Sequence, residues 1–207
     1  MIPAVYFISR TIFWISLVTL CRIKITGKEN FPESGAFIVA SNHTSFADPP
    51  VMGVACSRAP LVFMAKKELF EVPVFGLWFK AMGCIPVDRR SGSFRPLKNA
   101  LQKLKNGKPL GIFPEGTRSA DGKLKKAELG IGFLAAKSKA PIIPMYISGT
   151  DKVLPKGHKF IKPHKVIVKI GKRLEIGDNA ALSGDKDKIY ASIGETVMRA
   201  IESLKNA

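Results

Sequence analysis

The sequence predicts an α/β domain: a mixed, mostly parallel sheet flanked by helices, with an N-terminal membrane-associated helix in front of it. Three observations lead there. Short apolar runs alternate with longer segments of helical spacing along most of the chain, the order in which layered α/β folds are built. Gly, Pro and Asn punctuate the joins between these segments. At 207 residues the chain has the size of one domain with a sizeable core.

Residues 2–21 are apolar and aromatic apart from Ser9, Arg10, Thr11, Ser16 and Thr19. A bilayer span needs about 20 apolar residues, and a charge near its middle is costly. The polar positions do not gather on one helical face. A signal peptide fits poorly, because Arg10 interrupts the apolar stretch instead of preceding it. The reading is a helix lying in one leaflet, with a buried core helix and a true span as the alternatives. Residues 22–207 then form a single α/β domain.

Within that domain, residues 22–27 alternate polar with apolar and read as a half-exposed strand closed by Gly27. Residues 36–40 form a buried strand. A helix over 49–57 follows, with Asp48 as its N-cap and Pro in its first turn. Residues 61–65 are a second apolar strand, and 69–82 a helix ending at Gly83. Pro86 marks 84–87 as an edge strand. A helix over 94–104 stops at Asn106-Gly107, and a strand over 109–113 leads into Pro114-Glu115-Gly116. Then come a helix over 128–138, strands over 142–147 and 166–170, and an amphipathic helix over 187–204.

Charge narrows the partners. Thirty-three Lys and Arg against 16 Asp and Glu leave +17, a surplus that favours anionic partners: nucleic acid, anionic lipid or phosphorylated substrates. No aromatic–basic RNA-recognition block or zinc-finger spacing accompanies it. Cys21, Cys56 and Cys84 are far apart and contain no Cys-x-x-Cys pair. They read as three buried thiols in a reducing compartment, with neither a zinc site nor a disulfide framework.

Both chemically interesting segments directly follow predicted strands, where α/β folds build their sites. The first is Asn42-His43-Thr44-Ser45-Phe46-Ala47-Asp48-Pro49. On a continuous helix His43 and Asp48 would point roughly 140° apart, but in a turn entering a helix the two side chains can meet. Asp48 would fix the imidazole tautomer while the other ring nitrogen faces a substrate hydroxyl, the base-and-orienter half of a serine-protease triad. A histidine satisfied within a turn fits the same spacing. The second segment is Phe113-Pro114-Glu115-Gly116-Thr117-Arg118-Ser119, in which Arg118 can grip a phosphate bidentately and the Gly116 N–H can face an oxyanion. A structural ion pair at Arg118 is the alternative. In Gly83-Cys84-Ile85-Pro86-Val87-Asp88-Arg89, Arg89 offers a further phosphate contact or is a solvated strand end.

Taken in order, these blocks resemble the glycerolipid acyltransferases, specifically the 1-acyl-glycerol-3-phosphate acyltransferases. The His-x-x-x-x-Asp block is His43 to Asp48, the Gly-x-Ile-x-x-Asp-Arg block is Gly83 to Arg89, and Phe-Pro-Glu-Gly-Thr-Arg-Ser is unchanged at 113–119. The apolar strand with a central Pro is IIPMYISG at 142–149. The resemblance covers roughly residues 22–175.

The resemblance implies transfer of an acyl chain from a thioester, acyl-CoA or acyl carrier protein, to the free hydroxyl of lysophosphatidate in phospholipid biosynthesis. It makes His43 the general base and Asp48 its orienter. Arg89 and Arg118 would hold the acceptor phosphate. Glu115 and Gly116 would shape the acceptor and oxyanion region, these two and Thr117 would contact substrate, and Lys66, also given to the substrate, stands where the family often has a basic residue. No metal or cofactor is called for. The implied setting is a membrane, on the cytoplasmic face of the inner membrane, with anionic lipid as a partner and no nucleic acid. The lysines of 152–165 would lie near headgroups, and His158 and His164, with no paired acid, are not catalytic. Another lysophospholipid, glycerol 3-phosphate or a lyso-aminolipid as acceptor would leave the chemistry unchanged. The remote alternative is a non-catalytic basic protein that binds lipid or nucleic acid.

Overall fold

A seven-stranded sheet in the order β1-β7-β6-β2-β5-β3-β4 organises the chain in the computed structural model. The structure describes all residues except 89, 120, 156, 159, 177–184 and 207. The elements run α1 (Pro3–Cys21), β1 (Lys24–Thr26), β2 (Ile38–Ser41), α2 (Asp48–Ala55), β3 (Val62–Lys66), α3 (Phe75–Ala81), β4 (Ile85–Val87) and α4 (Arg95–Lys105). They continue with β5 (Leu110–Ile112), α5 (Leu129–Ser138), β6 (Ile142–Ser148), α6 (Thr150–Val153), β7 (Ile167–Ile170) and α7 (Lys186–Asn206). Among these pairings β6 with β7 is antiparallel and the rest are parallel, so the sheet is mixed and mostly parallel as the sequence predicts.

The central strands are covered on both faces, which explains their continuous apolar runs. Val39 faces a core shared with Leu17 and Cys21 of α1, Val51 and Met52 of α2, and Met145 and Ile147 of β6. Ile38 and Ala40 face the opposite core with Ala100 and Leu104 of α4, Leu134 of α5 and Ile201 of α7. Successive side chains of β2 thus enter different layers.

The helix expected over 69–82 is broken. A 3-10 turn covers Lys67–Phe70, and α3 begins only at Phe75. Pro73 lies between them; it removes a backbone donor and disfavours helix at the residue before it. Val74 follows with φ of 66°. α6 was not predicted, because four residues are too few to display a helical period. Asp48 is not an N-cap. It is the first residue of α2, Ala47 precedes the helix, and the Asp48 carboxylate turns back into the preceding loop. Cys21 and Cys56 are buried and Cys84 is half-buried; all three are free, and burial pushes the Cys84 thiol up to about 11.

α1 lies along the domain from end to end. Ile2 N–H donates to Ala81 O at 2.7 Å, Tyr6 is buried, and Ser9 Oγ accepts from Trp78 Nε1 at 2.9 Å. Arg10 reaches Val54 O at 3.4 Å, Phe13 meets Trp78 edge-on, and Leu17 and Cys21 enter the core. These positions recur every three or four residues, so they form one stripe against α2 and α3. The opposite face exposes Phe7, Ile8, Ile12, Ile15 and Val18. The helix lacks an amphipathic pattern because both of its faces are apolar.

α5 crosses α7 closely at Gly132, where a Cβ would run into the backbone carbonyl of Tyr190. Gly132→Ala should therefore cost about 1–3 kcal/mol of stability through overpacking. Urea unfolding of the purified protein checks this, and an unchanged midpoint would refute it.

Candidate active site

The register of β2 against β5 pairs Ile38 with Leu110 and Ala40 with Ile112. The loops that leave these neighbouring strands, 42–48 and 113–119, therefore start side by side. β3 lies beyond β5, whereas β6 lies on the other side of β2, so the chain leaves β2 and β5 in opposite directions. A crevice at the carboxyl ends of such strands is the usual ligand position in open α/β sheets.

His43 is held from several sides. Its backbone N–H donates to Glu115 Oε1 at 2.9 Å, and its C=O accepts from Ser119 N–H at 2.7 Å. The imidazole lies flat on Phe113, with centroids 4.0 Å apart and planes inclined by 17°. Nδ1 is 2.8 Å from Asp48 Oδ2. That leaves Nε2 as the nitrogen Asp48 does not engage, on a side chain 16% exposed.

Asp48 is fully buried. Its Oδ2 also accepts from the backbone N–H groups of Thr44 at 2.7 Å and Ser45 at 2.8 Å. Three donors thus converge on one oxygen, at the N-terminus of α2 where the helix dipole favours negative charge. Oδ1 is buried with no hydrogen-bond partner among the described residues. Ser45 Oγ donates to Leu154 O at 2.9 Å, and the Thr44 and Thr150 hydroxyls are 3.3 Å apart, so the turn is also tied to both ends of α6.

Asn42 carries a role that residue spacing does not reveal. Its buried amide donates to Ile147 O and accepts from Ile147 N–H, both at 2.8 Å. The side chain thereby extends the β2–β6 ladder by one pairing, which frees the main chain at His43 to turn out of the sheet. Only the polar residue next to the histidine, directly after an apolar strand, hinted at this.

Among the remaining expected site residues, Arg118 lies with its guanidinium 3.7 Å above the Phe46 ring. Phe46 is three residues after His43, so this stack joins the two loops. Glu115 is a strut between loops: besides Oε1 on His43 N–H, its second oxygen, Oε2, accepts from Lys125 N–H at 3.2 Å, and the side chain is 3% exposed. Burial raises its pKa, while the His43 and Lys125 amides pull the other way. The oxyanion role expected of Gly116 is corrected by its N–H, which donates to Phe113 O at 3.0 Å inside a tight turn with φ of 66°. Thr117 and Lys66 are exposed, the latter at the carboxyl end of β3. Arg89 lies outside the described residues.

A buried carboxylate orients an imidazole whose second nitrogen is available, and a cation is stacked nearby. Such a set can accept a proton from a hydroxyl while binding an anionic group. Comparison with known proteins decides which chemistry this is. The family model described as "Acyltransferase" matches residues 22–148. The chain belongs to the acyltransferase family.

Within that family it is 33% identical over 185 residues to a 1-acyl-sn-glycerol-3-phosphate acyltransferase of Bacillus subtilis, covering 89% of this chain and 88% of the other. A chloroplastic protein of the same name from Arabidopsis thaliana is 33% identical over 77% of this chain and 45% of its own length. The crystal structure of the 1-acyl-sn-glycerophosphate acyltransferase PlsC from Thermotoga maritima superimposes with a TM-score of 0.78 at 30% identity, covering 98% of this chain and 80% of the other. The acyltransferase fold and activity class thus follow from both sequence and structure.

Asn42→Asp keeps shape but sets a carboxylate oxygen against Ile147 O. It should cost about 1–3 kcal/mol, the penalty for a buried acceptor left without a donor. The shift in denaturation midpoint at constant slope measures it, and a change below a few tenths would show that the amide pairing carries no stability.

Proposed function

We propose that the chain transfers a fatty acyl group from an acyl thioester to the free hydroxyl of 1-acyl-glycerol-3-phosphate, giving phosphatidic acid. The observation that carries this reading is the His43–Asp48 pair joined to the loop bearing Arg118. Relatives named for this reaction support it.

In this reading the acceptor hydroxyl gives its proton to Nε2 of His43 as its oxygen attacks the thioester carbonyl. The resulting imidazolium is stabilised by Asp48 through Nδ1. Collapse of the tetrahedral adduct breaks the carbon–sulfur bond, and the departing thiolate takes the proton back from His43. The donor is acyl-CoA or acyl carrier protein, and the reaction needs no metal or cofactor. Arg118 holds the acceptor phosphate: Phe46 supports one face of the guanidinium and leaves its edge N–H groups to the phosphate oxygens. Arg89, Thr117 and Lys66 complete the acceptor region, and Glu115 and Gly116 shape the loop that presents Arg118.

The reaction takes place at a membrane surface. α1 is long and apolar enough to cross a bilayer, yet one side of it is packed on the domain along its whole length. A helix engaged in this way favours lying in one leaflet over spanning it. The same lysophospholipid chemistry on the cytoplasmic face of the inner membrane accounts for the positive charge, which attracts anionic headgroups.

His43→Ala should lower acyl transfer to lysophosphatidate by a factor of about 10² to 10⁴, the range for a lost general base. Circular dichroism should remain unchanged. Full activity of this variant in vesicles would end the proposed mechanism.

Arg118→Ala should raise KM for the phosphorylated acceptor on the order of ten- to hundredfold, as expected for lost charge-assisted bonds. Phe46→Ala should raise it about two- to fivefold, since a cation–π contact near the surface contributes about 0.5–1 kcal/mol. Phe46→Tyr should restore it. Equal effects with a neutral acceptor would show that Arg118 does not bind the phosphate.

A further inference from the structure

We propose that the loop between α6 and β7 is a second membrane-contact element, which inserts Phe160 and Ile161 among the headgroups of an anionic bilayer. The inference rests on the reading that α1 seats the chain on a membrane, and not on the identity of the acceptor.

The loop is tied down at both ends. Lys162 N–H donates to Val153 O at 2.8 Å, which closes the chain over the eight residues between them. At its base Val153 and Val166 are buried, fixing both ends. Just before that closure Phe160 is 83% exposed and Ile161 is 56% exposed. Burying each of these two adjacent large apolar side chains would be worth about 1.5–3 kcal/mol.

Their surroundings identify the partner. Residues 152–165 contain Lys152, Lys156, Lys159, Lys162 and Lys165, together with His158 and His164, and no Asp or Glu. Apolar residues interleaved with lysines match an interface where acyl chains lie below phosphates. A nucleic acid would leave Phe160 and Ile161 without a hydrophobic phase to enter.

The position of the loop agrees. On one side it returns to the fold at the last turn of α1, where Val166 N–H donates to Cys21 O at 3.0 Å. Val18 and Leu20, near that end of α1, are exposed. On the other side Ser45 of the catalytic turn donates to Leu154 O at 2.9 Å. The loop therefore runs between the apolar helix and the His43–Asp48 turn, and its insertion would bring that turn to the lipid surface.

The test uses the full chain with an NBD fluorophore on Ile161→Cys, in a Cys84→Ser background that removes the half-buried native thiol. Vesicles of phosphatidylglycerol, vesicles of phosphatidylcholine and soluble acyl carrier protein are added separately. Flotation with the vesicles, which reports seating by α1, is scored in parallel. The expected result is a several-fold rise in NBD emission with phosphatidylglycerol, quenched by bromine in the acyl chains, and a much smaller rise with phosphatidylcholine. Lys162→Gln with Lys165→Gln should move the lipid midpoint about thirtyfold, because each lysine at such a surface contributes about 1 kcal/mol. Flotation with unchanged emission would overturn the loop contact and leave the seating by α1 intact. Equal rises on both lipids would overturn the anionic assignment. A rise with carrier protein alone would make the loop a protein-docking element and overturn the proposal.

Discussion

The parallel pairing of β2 with β5 is the constraint on which the candidate site depends. With Ala40 beside Ile112, the residues that follow cannot avoid each other: His43 settles on the Phe113 ring, and its amide and carbonyl meet Glu115 and Ser119. A one-residue slip in this register would turn every following side chain to the opposite face. Two buried cores, one on each side of β2, hold the register in place. The precision of the His43–Asp48 contact is thus inherited from ordinary hydrophobic packing beneath it. The loop hydrogen bonds refine that position and do not create it.

The same economy appears in the polar groups of the site. Asp48 and Glu115 are buried carboxylates, yet among the described residues neither pairs with a Lys or Arg side chain. Backbone N–H groups supply most of their donors: Thr44 and Ser45 for Asp48, His43 and Lys125 for Glu115. Amides are fixed by the fold and lose no side-chain entropy when they bind, which makes them rigid partners for a carboxylate that must hold its place.

Much of this was legible in the sequence, and the exceptions have physical causes. Apolar runs located the central strands because burial on both faces leaves no polar alternation. The His43 and Asp48 pair was visible because its chemistry belongs to side chains at a short spacing. The contacts of Glu115 and Asn42 were not legible for the opposite reason: their partners are main-chain atoms, those of His43 and Ile147 being far away in sequence, which no motif records. The direction of α1 was hidden because both of its faces are apolar, one toward protein and one away from it. Pro73 was a readable break that the surrounding aromatic run concealed. Arg118 was noticed for its charge, whereas its seat on Phe46 depends on two loops meeting in space.

Asn42 has a consequence for how the molecule comes into being. Its amide closes onto Ile147, 105 residues later, while His43 is clamped by Glu115 at a separation of 72. Contacts of such long range form only after the intervening loops have been closed, and they favour late assembly. A nascent chain emerging from the ribosome would carry both sequence motifs by residue 119 and still lack the strand that anchors Asn42. Asn42 can therefore find its partner only once Ile147 has been made, so that a product truncated before β6 keeps both motifs without the pairing that turns His43 out of the sheet.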